Sequence, residues 1–368
     1  MKKVAVLTCG RSDFSIYLPL LKNLEARDNV SLHIIAFGTH TSHYHGYTVS
    51  QIRDAGFENI IPIDATLADD KPDSIAISMG LTSIRLAEVW RNNEFDWVFC
   101  LGDRYEMFAA VSSAIHFNLR IVHFHGGEKT LGAVDNSFRH AITAMSEYHF
   151  TSCDAHKLRV KSIIEDELSD NVFDVGALSL QNLNSVPLFN KSEFSEKFTI
   201  DITKPTVLVT YHPETVALDV NKQNIAALLS VFDTINEQVL LTLPNNDAMG
   251  AYAREAFLEY AKTNDNMFVY DFLGVKGYYS AMKYCSYMLG NSSSGIIEAA
   301  SFGCYVVNVG DRQKGRHGSE NIFHTPCESQ KILDVINKIN TLKPYDGGNI
   351  YYQPDTLEQI VKKLNLDK

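Results

Sequence analysis

Short runs rich in Val, Ile, Leu and Phe recur along this chain without strict alternation. Between them, apolar residues return every three or four positions. The runs Lys3–Thr8, Leu32–Phe37, Asp96–Leu101, Arg120–Phe124 and Tyr148–Ser152 predict strands, and Phe14–Ala26, Ser74–Trp90, Arg104–Ile115 and Asn136–Ser146 predict helices. Strands without polar alternation are buried on both faces, the mark of a parallel sheet covered by helices. A second series begins near Pro205. Its expected strands are Thr206–Thr210, Val239–Leu243, Met267–Tyr270, Ser286–Gly290 and Tyr305–Val309. Its expected helices are Asn221–Asn236, Ala248–Thr263, Lys276–Cys285 and Ser329–Asn340, with a last amphipathic helix over Thr356–Leu366. Asn182, Asn184, Ser185, Pro187 and Asn190 make the stretch between the series polar and rich in breakers. The pattern predicts an α/β protein of two Rossmann-like βα domains facing each other across a cleft. The expected bounds are 1–176, a linker over 177–204, a second domain over 205–352, and a C-terminal helix within 353–368 that packs back across the domains.

In open α/β sheets ligands sit beyond the carboxyl ends of the strands. The unusual turns of this chain fall there. Gly290-Asn291-Ser292-Ser293-Ser294-Gly295 joins a predicted strand to an apolar segment, Ile296–Phe302, expected to be helical. Small residues at a helix start leave backbone N–H groups free and put the positive end of the helix dipole beside them, which suits an anion. A serine that merely caps the helix would look the same.

Composition narrows the partners. The chain has 368 residues, 45% hydrophobic and 21% charged, with a net charge of −11 and no long basic run. That argues against nucleic acid and anionic membrane as main partners and leaves a small anionic molecule open. No segment approaches the roughly 20 apolar residues that span a bilayer. The apolar run after Met1-Lys2-Lys3 is too short for a signal sequence and meets Arg11 and Asp13 at once. The six cysteines are scattered without a C-x-x-C pair, as expected of reduced thiols in a cytoplasmic enzyme.

Familiar cofactor motifs are missing. The first strand turns through Thr8-Cys9-Gly10-Arg11-Ser12-Asp13, which is no G-x-G-x-x-G fingerprint, and no P-loop occurs. Arg11 and Arg104 would instead supply charge to a phosphate or carboxylate. His123-Phe124-His125-Gly126-Gly127-Glu128 ends the fourth strand, and Asp135 opens a helix that carries Arg139 and His140. Asp103 and Asp135 could each cap a helix, and Arg139 could pair with Asp135 one turn away. Three acids at strand ends of one sheet, Asp103, Glu128 and Asp135, also form the kind of group that supplies an acid and a base. His40, His43 and His45 have no standard zinc spacing, and no metal is expected there; they read as a polar loop at the mouth of the cleft. His212-Pro213 follows a strand of the second domain, and Asp311-Arg312-Gln313-Lys314-Gly315-Arg316 follows another.

Taken together, Arg11-Ser-Asp13, Leu101-Gly-Asp-Arg104, His123–Glu128, Asp135-x₃-Arg139-His140, His212-Pro213, Pro244-Asn245, Gly290–Gly295 and Asp311–Arg316 resemble the UDP-N-acetylglucosamine 2-epimerases. The nearest likeness is to the hydrolysing branch of sialic-acid synthesis, the NeuC type, in order from residue 4 to about 325. The resemblance implies a GT-B-like fold with UDP on the second domain, no cofactor, and a homodimer or larger oligomer. It carries over His212, Asn245, Ser292, Ser293, Glu298 and Arg312 as UDP-binding positions, with Arg11, Ser15 and Arg104 contributed by the first domain. Asp103, Asp135 and Arg139 match the catalytic side. Some relatives have a glutamate where this chain has His125, so His125 or Glu128 would fill that role here. The implied reaction converts UDP-N-acetylglucosamine to N-acetylmannosamine and UDP through a glycal. The alternatives are the same chemistry on UDP-2,4-diacetamido-2,4,6-trideoxyglucose, on the way to legionaminic acid, or a GT-B glycosyltransferase.

Overall fold

The computed structural model describes residues 1–43, 46–67, 71–129, 135–166, 169–213, 218–244 and 250–367. They form two compact units: residues 1–129, 135–185 and 353–367 in the first, and 186–352 in the second.

The first unit holds strands β1 Lys2–Thr8, β2 Val30–Ala36, β3 Ile60–Pro62, β4 Trp97–Leu101, β5 Ile121–Phe124, β6 Tyr148–Thr151 and β7 Val172–Asp174. They pair in parallel in the order β3-β2-β1-β4-β5-β6-β7. Both faces of β1 are sealed. Val4 and Val6 lie in one apolar cluster with Tyr17, Leu20 and Phe124, while Ala5 and Leu7 lie in another with Leu86, Met107 and Val111. That is why the strand shows no polar alternation. The helices that matter for the site are α1 Arg11–Glu25, α4 Tyr105–Ile115, α5 Asp135–Met145 and α6 Asp154–Ile163. The three-residue strands β3 and β7 are too short to leave a periodic signal, and the sequence reading missed both.

The second unit holds β8 Thr206–Thr210, β9 Gln238–Thr242, β10 Met267–Tyr270, β11 Tyr287–Gly290, β12 Val306–Val309 and β13 Ile322–Thr325. Their order is β10-β9-β8-β11-β12-β13, again all parallel. In both sheets the strand order reverses direction once, between β1 and β4 and between β8 and β11. Such reversals splay the following loops apart and open a crevice for a ligand. The expected α/β class and Rossmann-like units are what the sheets show. The stretch 177–204 is more structured than a plain linker: it carries a 3-10 helix over Leu178–Asn184 and a helix, α7, over Lys191–Phe198. Asn190 and Glu193 cap α7 reciprocally. The last helix, α13 Thr356–Lys363, packs on the first unit, where Ile360, Val361, Leu364 and Leu366 join the core around Val4 and Leu20.

Candidate active site

The turn after β11 is shaped by how closely β8 and β11 approach. Gly290 has φ +143°, and a Cβ there would stand 2.0 Å from the Thr210 carbonyl oxygen. Only glycine fits. Gly290→Ala is expected to cost about 3 kcal/mol of stability, measurable by urea denaturation; an alanine variant as stable as the parent would mean that the two strands can part freely.

The next residue, Asn291, is fully buried and organises the rest. Its side-chain amide accepts from the His212 N–H (2.7 Å) and donates to the His212 carbonyl (2.8 Å). Its own carbonyl accepts from Arg312 Nη1 (3.0 Å) and Gln313 Nε2 (2.8 Å). One asparagine therefore ties three separate segments together: the loop after β8, the turn after β11 and the loop after β12. The sequence reading named His212, Arg312 and the serines but passed over Asn291, whose signal was only its place between the strand-end glycine and the serines. Burial, and then the Arg312 charge, lower the His212 pKa to about 4, so its ring is neutral near pH 7.

The helix expected over Ile296–Phe302 is two short pieces, α11 Ser293–Ile297 and a 3-10 turn Ala299–Phe302 ending at Gly303. So short a helix has little dipole, and the anion-binding case rests more on side chains. Ser292 caps α11 by accepting from the Ser294 N–H. Its hydroxyl also lies 2.8 Å from that of Ser294, which meets Tyr278 at 2.8 Å, and Tyr278 in turn meets Thr210 at 3.0 Å. Tyr278 was not expected here. Glu298 follows α11 and accepts from the Tyr279 hydroxyl (3.3 Å). Asn245 lies outside the described residues. Of the basic loop after β12, Arg312 reaches the turn, whereas Lys314 is exposed and lies 3.4 Å from Asp311.

In the first unit the acids gather at the ends of β4 and β5 and the start of α5. Neither simple structural role is filled as expected. Arg104, not Asp103, stands at the N-cap of α4. Arg139 pairs through Nη2 with Asp103, 36 positions away, and not with its helix neighbour Asp135. Arg139 is 3% exposed, and its Nε and Nη1 are buried with no hydrogen-bond partner among the described residues. Asp135 opens α5 as an exposed residue, but the protein atoms around its carboxyl still strip hydration from it. That loss of water, and then the Asp103 charge, raise the Asp135 pKa; Arg139 and Arg104 partly offset the rise. The two aspartates thus sit in unlike environments, one clamped by a cation and one pushed toward its neutral form.

Arg104 is held by Glu106, which is fully buried, through Nη2–Oε1 (2.8 Å) and Nε–Oε2 (3.2 Å). The buried Asp13 receives the Cys9 N–H (3.2 Å) and thiol (3.0 Å). Of the other expected positions, Arg11 is exposed at the first turn of α1, and the Ser15 hydroxyl donates back to the Arg11 carbonyl (2.9 Å).

At the end of β5, His125 takes a left-handed backbone, φ +62°. It and Glu128 are both buried and share a hydrogen bond from Nδ1 to Oε1 of 2.8 Å. His123, beneath them, has its Nε2 2.9 Å from the Gly102 carbonyl and its Nδ1 3.1 Å from the Thr143 hydroxyl. Burial lowers its pKa to about 3, so it is a neutral structural group. His40 likewise turns inward instead of lying in an open polar loop. It is buried between the hydroxyls of Thr8 (2.9 Å) and Thr48 (2.8 Å). His43 stacks on Tyr47, and His45 lies outside the described residues.

A family model described as UDP-N-acetylglucosamine 2-epimerase matches residues 22–365. The chain belongs to that family. Among its relatives is the UDP-N,N'-diacetylbacillosamine 2-epimerase (hydrolyzing) of Legionella pneumophila, 33% identical over 99% of this chain and 96% of the relative. The GDP/UDP-N,N'-diacetylbacillosamine 2-epimerase (hydrolyzing) of Campylobacter jejuni is 32% identical over 100% and 97%. The polysialic acid biosynthesis protein P7 of Escherichia coli is 31% identical over 98% and 93%. A crystal structure of UDP-GlcNAc 2-epimerase from Neisseria meningitidis, bound to UDP-GlcNAc, has the same fold: TM-score 0.82, 17% identity, full coverage of both chains. As a member of the UDP-N-acetylglucosamine 2-epimerase family, this protein is an enzyme with the GT-B-like pair of Rossmann units expected from its sequence.

Proposed function

We propose that this enzyme is a hydrolysing 2-epimerase of a UDP-2-acetamido sugar. The observation that carries the reading is the unlike pair Asp103 and Asp135, one bound to Arg139 and the other raised in pKa. The chemistry explains why such a pair matters. The sugar C2–H is not beside a carbonyl, so a base alone cannot remove it. UDP must leave from C1 first or at the same time, which makes C1 oxocarbenium-like and acidifies C2–H. In this reading Asp135 takes the C2 proton, because a carboxylate with a raised pKa and no ion-pair partner among the described residues is a competent base. The Asp103–Arg139 pair sets the charge near it. For departing UDP, the Ser292 and Ser293 hydroxyls and the Arg312 guanidinium would stabilise the diphosphate. A glycal forms, water adds at C1, and a proton returns to C2 on the other face.

For the sugar we favour N,N'-diacetylbacillosamine, the 2,4-diacetamido-2,4,6-trideoxy sugar. Support comes from the names of the relatives at 33% and 32% identity. The description of the family model, and a Neisseria meningitidis relative at 25% identity named UDP-N-acetylglucosamine 2-epimerase, favour UDP-N-acetylglucosamine as the second reading. The glycosyltransferase reading has no support among these relatives.

The test is an NMR time course in D₂O with each UDP-sugar offered alone and no acceptor. The expected outcome is UDP and a free 2-epimerised sugar carrying deuterium at C2, formed faster from the diacetamido substrate. Product without deuterium at C2 would exclude the elimination route. Product formed faster from UDP-N-acetylglucosamine would select the second sugar.

A further inference from the structure

To stabilise a diphosphate, Ser292 must donate a hydrogen bond, since phosphate oxygens only accept. Its single hydroxyl proton already has another use. Ser292 is the outer end of a chain of five hydroxyls that runs from the turn after β11 into the second sheet.

The chain joins elements far apart in sequence. The Ser292 and Ser294 hydroxyls lie 2.8 Å apart. Ser294 meets Tyr278, on α10 Gly274–Tyr284, at 2.8 Å. Tyr278 meets Thr210 at 3.0 Å, and Thr210 meets Thr242 at 2.6 Å. Thr210 and Thr242 are register partners that end β8 and β9, and both are buried. At the inner end the Thr242 hydroxyl donates to the Val209 carbonyl over 3.4 Å. Burial raises the Tyr278 pKa, so its hydroxyl keeps its proton and can both donate and accept.

Proton counting sets the direction of the whole chain. A carbonyl oxygen only accepts, so the Thr242 proton goes to Val209. Thr210 must then donate to Thr242, Tyr278 to Thr210, Ser294 to Tyr278 and Ser292 to Ser294. Every O–H points inward, and Ser292, which also accepts from the Ser294 N–H (3.3 Å), has no proton left for a ligand. One other arrangement keeps every link between hydroxyls. Thr242 donates to Thr210, each hydroxyl donates outward in turn, and the Ser292 proton is released for a ligand. The two arrangements differ only at their ends. The inward one ends in a neutral bond of 3.4 Å, longer than an ordinary O–H···O bond. The outward one ends in a charge-assisted bond to an anion, roughly twice as strong as a neutral one. An anion at Ser292 therefore turns the chain over, and the aligned hydroxyls strengthen one another.

We infer that Tyr278, Thr210 and Thr242 are positioning residues for the diphosphate, acting through Ser294 on the Ser292 hydroxyl, and that the ligand reverses the chain when it binds. The inference rests on the reading of this turn as the diphosphate site. No proton is transferred: each hydrogen rotates about its own C–O bond, and the charge of the site stays the same. Tyr278 is the link between the sheet and the turn. Thr242 anchors the inward arrangement.

Removing one hydroxyl at either place therefore has opposite expected effects. Tyr278→Phe cuts the chain, and Ser294 loses the donor that completes the outward arrangement. UDP should bind about three- to tenfold more weakly, the worth of one hydrogen bond. Thr242→Val keeps the shape of the side chain and removes the acceptor on which the inward arrangement depends. Thr210 can then donate within the chain only to Tyr278, so the hydroxyls point outward before the ligand arrives. UDP should bind as tightly as to wild type or up to about threefold more tightly.

The experiment measures Kd for UDP and for uridine by NMR titration of the full-length wild type, Tyr278→Phe and Thr242→Val. Uridine lacks the diphosphate, so its Kd should be the same in all three proteins. A tyrosine that only supported the fold would weaken uridine and UDP together. The inference is overturned if Tyr278→Phe binds UDP as wild type does, or loses uridine to the same degree as UDP. It is overturned equally if Thr242→Val binds UDP more weakly than wild type. If Tyr278→Phe does not fold, the direction of the change in Thr242→Val decides alone. Wild type that bound UDP no more tightly than uridine would instead sink the diphosphate reading of the turn, before any variant is compared.

Discussion

Replacing Asp135 with asparagine is expected to lower turnover by about 10²–10⁴, with little change in KM for the UDP-sugar. Asparagine keeps the shape of the side chain and its place at the start of α5, but it cannot take a proton. The measurement is steady-state UDP release together with deuterium incorporation at C2. Near-normal turnover in this variant would remove Asp135 from the chemistry. The pH profile gives the assignment a second check. A general base must be ionised, so kcat/KM should fall as pH drops through the Asp135 pKa. That pKa is raised by the loss of water around the carboxyl and then by the Asp103 charge, so the acid limb should lie above the ordinary aspartate value of about 3.9. In Asp103→Asn the like charge is gone and Arg139 is no longer neutralised. Both changes favour ionised Asp135, so the limb should move to lower pH. A limb that stayed in place or moved upward would contradict the pairing of the two aspartates.

Arg139→Met carries the second large expected effect, on stability as well as on rate. The guanidinium is buried, and Asp103 is its ion-pair partner, with a side chain only 22% exposed. Removing one member of a buried pair leaves an uncompensated charge, which costs about 3–5 kcal/mol. The partial exposure of Asp103 argues for the lower end of that range. The double variant Arg139→Met with Asp103→Asn removes the stranded charge too, and should recover much of the loss in urea denaturation. Activity should remain low in both, since Asp103 and Arg139 also set the charge around Asp135. If the double variant is as unstable as the single, packing of the arginine stem and not the ion pair accounts for the cost.

Most strands of this protein, though not β3, β7 or the half-exposed edge strand β13, were legible because both faces of each sheet are covered. The resulting apolar runs, such as Val4–Leu7 and Val207–Val209, need no partner to be recognised. Short elements were not legible: β3 and β7 span three residues each, and α11 was read as one helix where two short pieces stand. Residues whose own chemistry suits a ligand were named as candidates from the sequence, among them Asp103, His125, Glu128, Asp135, His212 and the serines. Residues that act by tying separate segments together were missed. Asn291 holds the His212 loop 79 positions away, and Tyr278 reaches both Ser294 and Thr210. Asparagines and tyrosines occur throughout the chain, and nothing in local spacing sets these two apart.

By itself, then, the sequence determined the periodicities that make two βα units, the glycines where the backbone must pass close or turn left-handed, and the set of acids, histidines and serines available at the strand ends. Those properties depend on neighbours in the chain. Tertiary structure decided which of those groups meet. It brought Arg139 to Asp103 when a helix partner stood one turn away, turned His40 inward between two threonines, and aimed the Ser152 and His125 donors at one oxygen of Glu128. The physical reason is that a side-chain hydrogen bond reaches only about 3 Å. Whether two groups come that close is set by strand order and by the packing of α5 and α6 on the sheet, neither of which local residue pattern records.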